Sequence, residues 1–310
     1  MKQKICELAK VCGADLVGFA HADRFRGDDP VFAIFPRTKT VICLAFRVLR
    51  GAYRGIEEGS TYYQYTTMGV LNLEETVMPT ALLRVASLIE QEGFAALPQR
   101  RHQQIMNEAD DVNPEVDYKA IYREKLEIQM DFLDAAVKCG IGEKSFHGTL
   151  LTDEFGPMVR YCFVLTDAVI EPDEEKKPHL CDNCKKCVSA CHGKAIDEEG
   201  NVDNWRCAVY YSGANGTKNP FMPPTAFENF EDRLEIIAGE AQISTEKAKK
   251  ILDSIYFYPP VSHSYKSSIC GRACDIACYV HLEEKGVLTK KFKTPFRKRE
   301  EWKFDIESFK

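Results

Sequence analysis

Cys181-Asp182-Asn183-Cys184-Lys185-Lys186-Cys187-Val188-Ser189-Ala190-Cys191 is a C-x2-C-x2-C-x3-C run. Three thiolates spaced by two residues can curl around one face of an iron–sulfur cube, while a fourth after three residues points away towards a second cube. The run therefore predicts a partner motif. One lies downstream at Cys270-Gly271-Arg272-Ala273-Cys274-Asp275-Ile276-Ala277-Cys278, with Cys207 between the two groups. By the ferredoxin pattern of crossed ligands, Cys181, Cys184, Cys187 and Cys278 hold one [4Fe-4S] cluster, and Cys191, Cys207, Cys270 and Cys274 the other. Structural zinc is the competing reading. It usually takes two well-separated C-x2-C pairs and leaves a third cysteine two residues on without a tetrahedral role.

A chain of 310 residues with 45% hydrophobic content suits two domains around real cores. The net charge of −6 gives the whole chain no basic field for nucleic acid. No apolar run reaches membrane length, and the N-terminus carries no signal or twin-arginine pattern. The expectation is a cytoplasmic protein away from membranes, with thiols rather than disulfides. Of its 13 cysteines, Cys6, Cys12, Cys43, Cys139 and Cys162 sit in apolar surroundings and read as small buried hydrophobes.

The chain opens with a helical pattern over residues 2–12, closed by Gly13, and a short strand over residues 16–20. Residues 40–46, Thr-Val-Ile-Cys-Leu-Ala-Phe, read as a central strand covered on both faces. The phenol cluster Tyr62, Tyr63 and Tyr65 reads as loop packing, or as a source of protons for a reducing centre. A helix is expected from about Val70 to Glu92, kinked at Pro79, then a short strand at residues 94–97, and a helix over residues 118–138. His102, in the polar stretch before that helix, reads as a surface residue. Residues 149–152 and 158–167 read as the two arms of a hairpin. The glycines of residues 139–148 follow a helix, where a dinucleotide fingerprint would follow a strand, so a Rossmann site is excluded. The acidic stretch Glu171-Pro172-Asp173-Glu174-Glu175 marks the domain boundary.

The order of these pieces ahead of the cysteine run resembles the epoxyqueuosine reductase and reductive dehalogenase superfamily. The resemblance is carried by Phe35-Pro36 to Phe46, by Glu92-Gly93-Phe94-Ala95-Ala96, by Cys139-Gly140-Ile141-Gly142 with Thr149-Leu150-Leu151, and by Gly156-Pro157-Met158 to Leu165-Thr166-Asp167. It implies an α+β protein: a nitroreductase-like α/β domain over residues 1–170, then a ferredoxin-like domain over residues 178–310 that carries two [4Fe-4S] clusters. It also implies cobalamin, in a corrinoid pocket lined by Gly140, Gly142, Ser145, His147, Thr149, Leu150 and Thr166, with electrons reaching cobalt through the clusters. Three features depart from the family pattern. The Val-Asp-Ser-(Gly/Ala)-Pro segment that supplies an aspartate proton donor is absent, with Glu127 and Asp131 at the comparable place. His192 follows Cys191 where proline is usual, and the last motif has three residues where two are usual.

Between Cys207 and Cys270 a helical insert over residues 220–260 is expected, with Phe227, Phe230, Leu234 and Ile237 in one helix and Ala248, Ile251, Leu252 and Ile255 in the next. It reads as a helical pair packed over the clusters, or as a lid. The tail mixes Lys290, Lys291, Lys293, Arg297, Lys298 and Arg299 with Phe292, Phe296 and Trp302, a composition that can grip RNA, although a terminal charge run is more often solvated. The expected function is a corrinoid-linked iron–sulfur oxidoreductase fed by a ferredoxin or flavodoxin, with the tyrosines as proton donors and a small or tRNA-borne substrate. The alternative is an electron-transfer protein, without its own corrinoid, that reduces the corrinoid or metal centre of a partner protein.

Overall fold

A computed structural model describes residues 1–100, 128–255, 268–297 and 307. His102, Glu127, residues 118–127 of the expected helix, and Lys298, Arg299 and Trp302 lie outside the described residues. The fold is mixed helix and strand. Strand β1 (Leu16–His21) pairs antiparallel with β2 (Thr40–Arg47), β2 with the strand Val159–Thr166, and that strand with β3 (Ala96–Gln99).

Every residue of β2 except Arg47 is buried, as its unbroken apolar run requires for a strand covered on both faces. Alternation sends Ile42, Leu44 and Phe46 to one face, against α1 (Lys2–Val11) and α4 (Met78–Gln91). Val41, Cys43 and Ala45 go to the other face, against α2 (Pro30–Ile34) and α5 (Phe132–Lys138). Helix α3 (Arg50–Glu57) leaves the end of β2 and carries Tyr53 and Ile56 into a third core.

Three local expectations are corrected. The helix expected from Val70 is not one kinked α-helix: residues Tyr65–Leu71 and Leu73–Val77 form wider π-helical turns, and the α-helix begins at Met78. Pro79 sits in its first turn, where a missing N–H costs nothing. The hairpin over residues 149–167 closes only at its turn, where the Thr152 and Gly156 backbones exchange two hydrogen bonds (3.0 and 2.9 Å), and its arms do not pair. Strand β5 (Leu150–Leu151) pairs with β4 (Glu143–Lys144), while β6 (Val159–Thr166) lies between β2 and β3. Eight paired positions along a fully buried neighbour outweigh a short local turn. In the insert, the helix expected around Phe227 starts only at Arg233, because Phe227 takes a left-handed φ of 61°.

Helices α6 (Lys186–Ser189), α7 (Asn204–Tyr211), α8 (Arg233–Ala238), α9 (Thr245–Ser254) and α10 (Ala273–Lys285) complete the chain. The insert has its own core, where Tyr210, Phe227, Ile236, Ile237, Ala248 and Ile251 meet. The third core joins the two ends of the sequence: Tyr53, Tyr65, Leu151 and Met158 pack with Leu180, Ile276, Tyr279 and Phe296. The acidic connection is fastened down as well, since the Phe19 amide donates to the Asp173 carboxylate (3.0 Å) and the Asp173 amide to the Phe19 carbonyl (2.8 Å). Among the described residues no helix is long and apolar enough to cross a membrane.

Gly142 is set so tightly that an added Cβ would run into the Leu151 carbonyl. Gly142→Ala is expected to lower stability by about 2 kcal/mol, read as a fall in Tm on thermal denaturation.

Candidate metal centre

The cysteine segments fold in a backbone conformation that few side chains tolerate. Asn183 (φ 56°), Lys185 (φ 55°), Lys194 (φ 50°) and Arg272 (φ 56°) are left-handed, and all four lie between or just after the motif cysteines. Alternating left- and right-handed residues turn successive N–H groups towards one concave point, an arrangement suited to anions. Strain at four non-glycine positions is the kind of cost that accompanies a site.

Cys181, Cys184, Cys187 and Cys278 line one small cavity of about 20 Å³, together with Phe146, His147 and His281. Cys184 is exposed and Cys187 buried, so this quartet runs from the surface inwards. Burial pushes the Cys187 thiol up to about 11, against the pull of nearby backbone amides and with a further push from Cys184 and Cys181. In the other quartet burial pushes Cys270 up to about 12, the Ala273 amide opposes it, and Cys207 and Cys191 add to it. Cys207 is raised by burial too, with Arg272 opposing and Cys191 adding. The sets that influence one another are those of the crossed-ligand pattern. Two sulfurs already accept amide hydrogens, Cys181 Sγ from Phe146 N (3.3 Å) and Cys191 Sγ from Ala195 N (3.2 Å). Such donors stabilise charge on a ligating sulfur.

Two polar contacts tie the first segment to this centre, and neither stood out in the sequence. The buried Glu143 carboxylate accepts from the amides of His179 (2.6 Å), Leu180 (3.0 Å) and Cys181 (2.8 Å), fixing the chain as it enters the first motif. Asp275, fully buried between Cys274 and Cys278, forms an ion pair with Arg272 and meets His147 Nε2 at 2.9 Å. Burial would raise the Asp275 carboxyl, but the Arg272 charge and the His147 hydrogen bond hold it well below the usual carboxylate range. The signal for Asp275 was present: a charge among apolar residues of a helix must find a partner. Glu143 had no such signal, because its partners are backbone amides 36 to 38 residues away.

The seven residues assigned to a corrinoid pocket do not come together around one space. Gly140 and Gly142 abut the Glu174 and Leu151 carbonyls. Leu150 is buried in the second core, and the buried Thr166 hydroxyl donates to the Ala95 carbonyl (2.7 Å). The Thr149 amide donates to Ser145 Oγ (2.9 Å). Ser145 and His147 line the cavity that the first cysteines also line. Asp131 caps α5 by accepting from the Asp134 amide (2.9 Å).

The tyrosines are inside the molecule. Tyr65 is fully buried, its ring lies 4.9 Å from that of Tyr53, and its hydroxyl accepts from Arg160 (2.8 Å). Tyr62 packs edge-on against Phe221 at 5.4 Å, and Tyr63 is half-buried. Burial raises both the Tyr62 and the Tyr65 hydroxyls, with Arg160 opposing at Tyr65. In the tail, Phe296 is buried against Tyr279 and Phe292 lies over the Arg50 guanidinium at 3.9 Å. Phe296 packs on α10, while Phe292 stays largely exposed over Arg50 of α3.

No protein-family model matches the chain. Among solved structures, the epoxyqueuosine reductase of Streptococcus thermophilus aligns over 92% of this chain and 82% of that chain, with a TM-score of 0.47 and 16% identity. In sequence, the epoxyqueuosine reductase of Prochlorococcus marinus (strain NATL2A) is 35% identical over 86 residues, 27% of this chain and 27% of that protein. That of Bacillus subtilis (strain 168) is 25% identical over 255 residues, 76% of this chain and 60% of that protein. The tetrachloroethene reductive dehalogenase of Sulfurospirillum multivorans is 42% identical over 92 residues, 28% of this chain and 18% of that protein. The chain spans less than two thirds of the length of each of these sequence relatives. On these sequence matches, the chain is similar to epoxyqueuosine reductases and reductive dehalogenases, as its motifs led one to expect.

Proposed function

We propose that this protein is an iron–sulfur oxidoreductase that receives single electrons and passes them through two [4Fe-4S] clusters towards a corrinoid. The observation that carries the reading is the quartet Cys181, Cys184, Cys187 and Cys278 around one cavity, with left-handed Asn183 and Lys185 between its cysteines; the spacing of Cys191, Cys207, Cys270 and Cys274 supports a second set. The donor set fits the group. Four sulfurs around a small cavity, with amide donors to sulfur, suit a cubane better than tetrahedral zinc, whose ligand arms are usually two separate pairs. A bound cluster supplies one-electron storage at a potential set by its surroundings.

In this reading residues 1–170 form the nitroreductase-like unit and residues 178–310 the ferredoxin-like unit, with residues 220–260 as the helical insert. Cys181, Cys184, Cys187 and Cys278 hold the outer cluster. The exposure of Cys184 gives an electron donor such as a ferredoxin or flavodoxin its approach. Cys191, Cys207, Cys270 and Cys274 hold the inner one. Glu143 anchors the first motif to the sheet domain and keeps the entry to Cys181 rigid. Tyr62, Tyr63 and Tyr65 stay the candidate proton donors, and Tyr65, whose hydroxyl accepts from Arg160, keeps its proton. The corrinoid rests on the resemblance to the superfamily. Five of the seven residues assigned to its bed are engaged in packing, so they do not fit that role, and no step is assigned to the group here. A substrate borne on tRNA is one of two classes, since the relatives include both epoxyqueuosine reductases and dehalogenases.

Anaerobic purification and reconstitution with cobalamin present, followed by iron, sulfide, zinc and cobalt analysis, tests the reading. About eight iron and about one cobalt per chain are expected. Eight iron without cobalt would move the function to electron delivery for a partner's centre, and zinc in place of iron would overturn it. Glu143→Ala removes the acceptor for three amides, a loss of about 1–3 kcal/mol for each one left buried and unsatisfied. The variant is expected to show a lower Tm and to lose the iron bound by the first motif sooner under chelator challenge.

A further inference from the structure

The loop at residues 143–149, expected to bed a cofactor, reaches instead between the two quartets. His147 is buried in the wall of the first cavity, and its ring also lies within 4.8 Å of Cys274 Sγ and the Asp275 carboxylate. One imidazole thus touches the surroundings of both sites. Its orientation is determined by its neighbours. Ser145 Oγ accepts from the Thr149 amide (2.9 Å) and lies 3.2 Å from His147 Nδ1. Because the ionised Asp275 carboxylate can only accept, His147 Nε2 carries a hydrogen and donates it to Asp275 Oδ1 (2.9 Å).

Asp275 follows Cys274 of one quartet directly and lies three residues before Cys278 of the other, fully buried. A carboxylate there lies within 4.8 Å of Cys274 Sγ, and its charge reaches the Cys278 thiol as well. Both thiols are pushed up, by burial first and by Asp275 next. Two groups oppose its charge. Arg272 comes from the same motif, whereas His147 is supplied by the sheet domain.

We propose that His147 and Asp275 form an opposed pair that sets the reduction potentials of both [4Fe-4S] clusters, with His147 acting through Asp275 as a positioning residue. The inference rests on the cluster reading above. A buried negative charge resists the addition of an electron nearby, and each hydrogen bond that the carboxylate accepts weakens that resistance. The two residues therefore act in opposite directions, and because the pair lies between the quartets, each acts on both clusters. Contact between the sheet domain and the cysteine domain is then read directly in the potentials.

The test is an EPR-monitored redox titration of the anaerobically reconstituted full chain, with iron and sulfide measured on every sample. In His147→Leu, which removes the donor, both midpoints are expected to move to lower potential. His147→Gln, which retains an amide donor at the reach of Nε2, is expected to keep them near the parent values. In Asp275→Asn both are expected to move to higher potential. Full iron content with unmoved midpoints in His147→Leu and Asp275→Asn, or shifts of the same sign in those two, would overturn the proposal while leaving the clusters in place. A parent protein that takes up no iron would instead overturn the cluster reading, and this inference with it.

Discussion

Four thiols brought into one partly buried space oppose one another and lose water. Each term favours the protonated form, as the raised Cys187 and Cys270 show. A chain that gathers Cys181, Cys184, Cys187 and Cys278 around one cavity, with Asn183 and Lys185 between them and Arg272 before Cys278 in the left-handed region, accumulates cost with no return within the protein itself. Binding a cationic cluster core reverses that balance, because the thiolates become ligands and the converging amides then face a negative sulfur. The remaining features follow from this requirement. The left-handed residues bend the chain around the sulfurs, Lys185 and Arg272 stand at the starts of the helices that carry Cys187, Cys274 and Cys278, and the third core presses α10 against the sheet domain.

The two parts of the chain are joined more closely than a linker implies. Apolar contacts of Tyr53, Leu151 and Met158 with Ile276 and Tyr279 supply area, and the polar contacts of Glu143 and His147 supply register. Both polar contacts come from the short loop that follows α5, so the glycines in that loop acquire a purpose. Gly140 and Gly142 allow close approach of the Glu174 and Leu151 backbones, which positions Glu143 and His147 for the cysteine segments. The loop couples the sheet to the cysteine segments.

Much of this was legible in the sequence. The unbroken apolar run at residues 40–46 gave a central strand, and the cysteine spacing pointed to Cys181, Cys184, Cys187 and Cys278, which the fold gathers around one cavity. The hairpin at residues 149–167 misled because a local turn signal carries no information about a distant strand that offers eight pairing positions. The π-helical turns before Met78 were invisible because their apolar spacing differs little from that of an α-helix. Glu143 was missed because backbone amides leave no trace in residue identity. The same limit applied to the glycine loop: spacing shows that backbone comes close to something, and only the fold shows that the partner is Glu174 and Leu151.

The central claim is that the eight cysteines divide into two crossed sets. Comparing Cys278→Ala with Cys270→Ala by iron analysis and EPR of the reduced, anaerobically reconstituted chains tests it most directly. The account expects each variant to keep about half the iron, with different residual signals, since Cys278 serves the set of Cys181 and Cys270 the set of Cys191. The same residual signal in both variants, or zinc in place of iron in the parent chain, would contradict it.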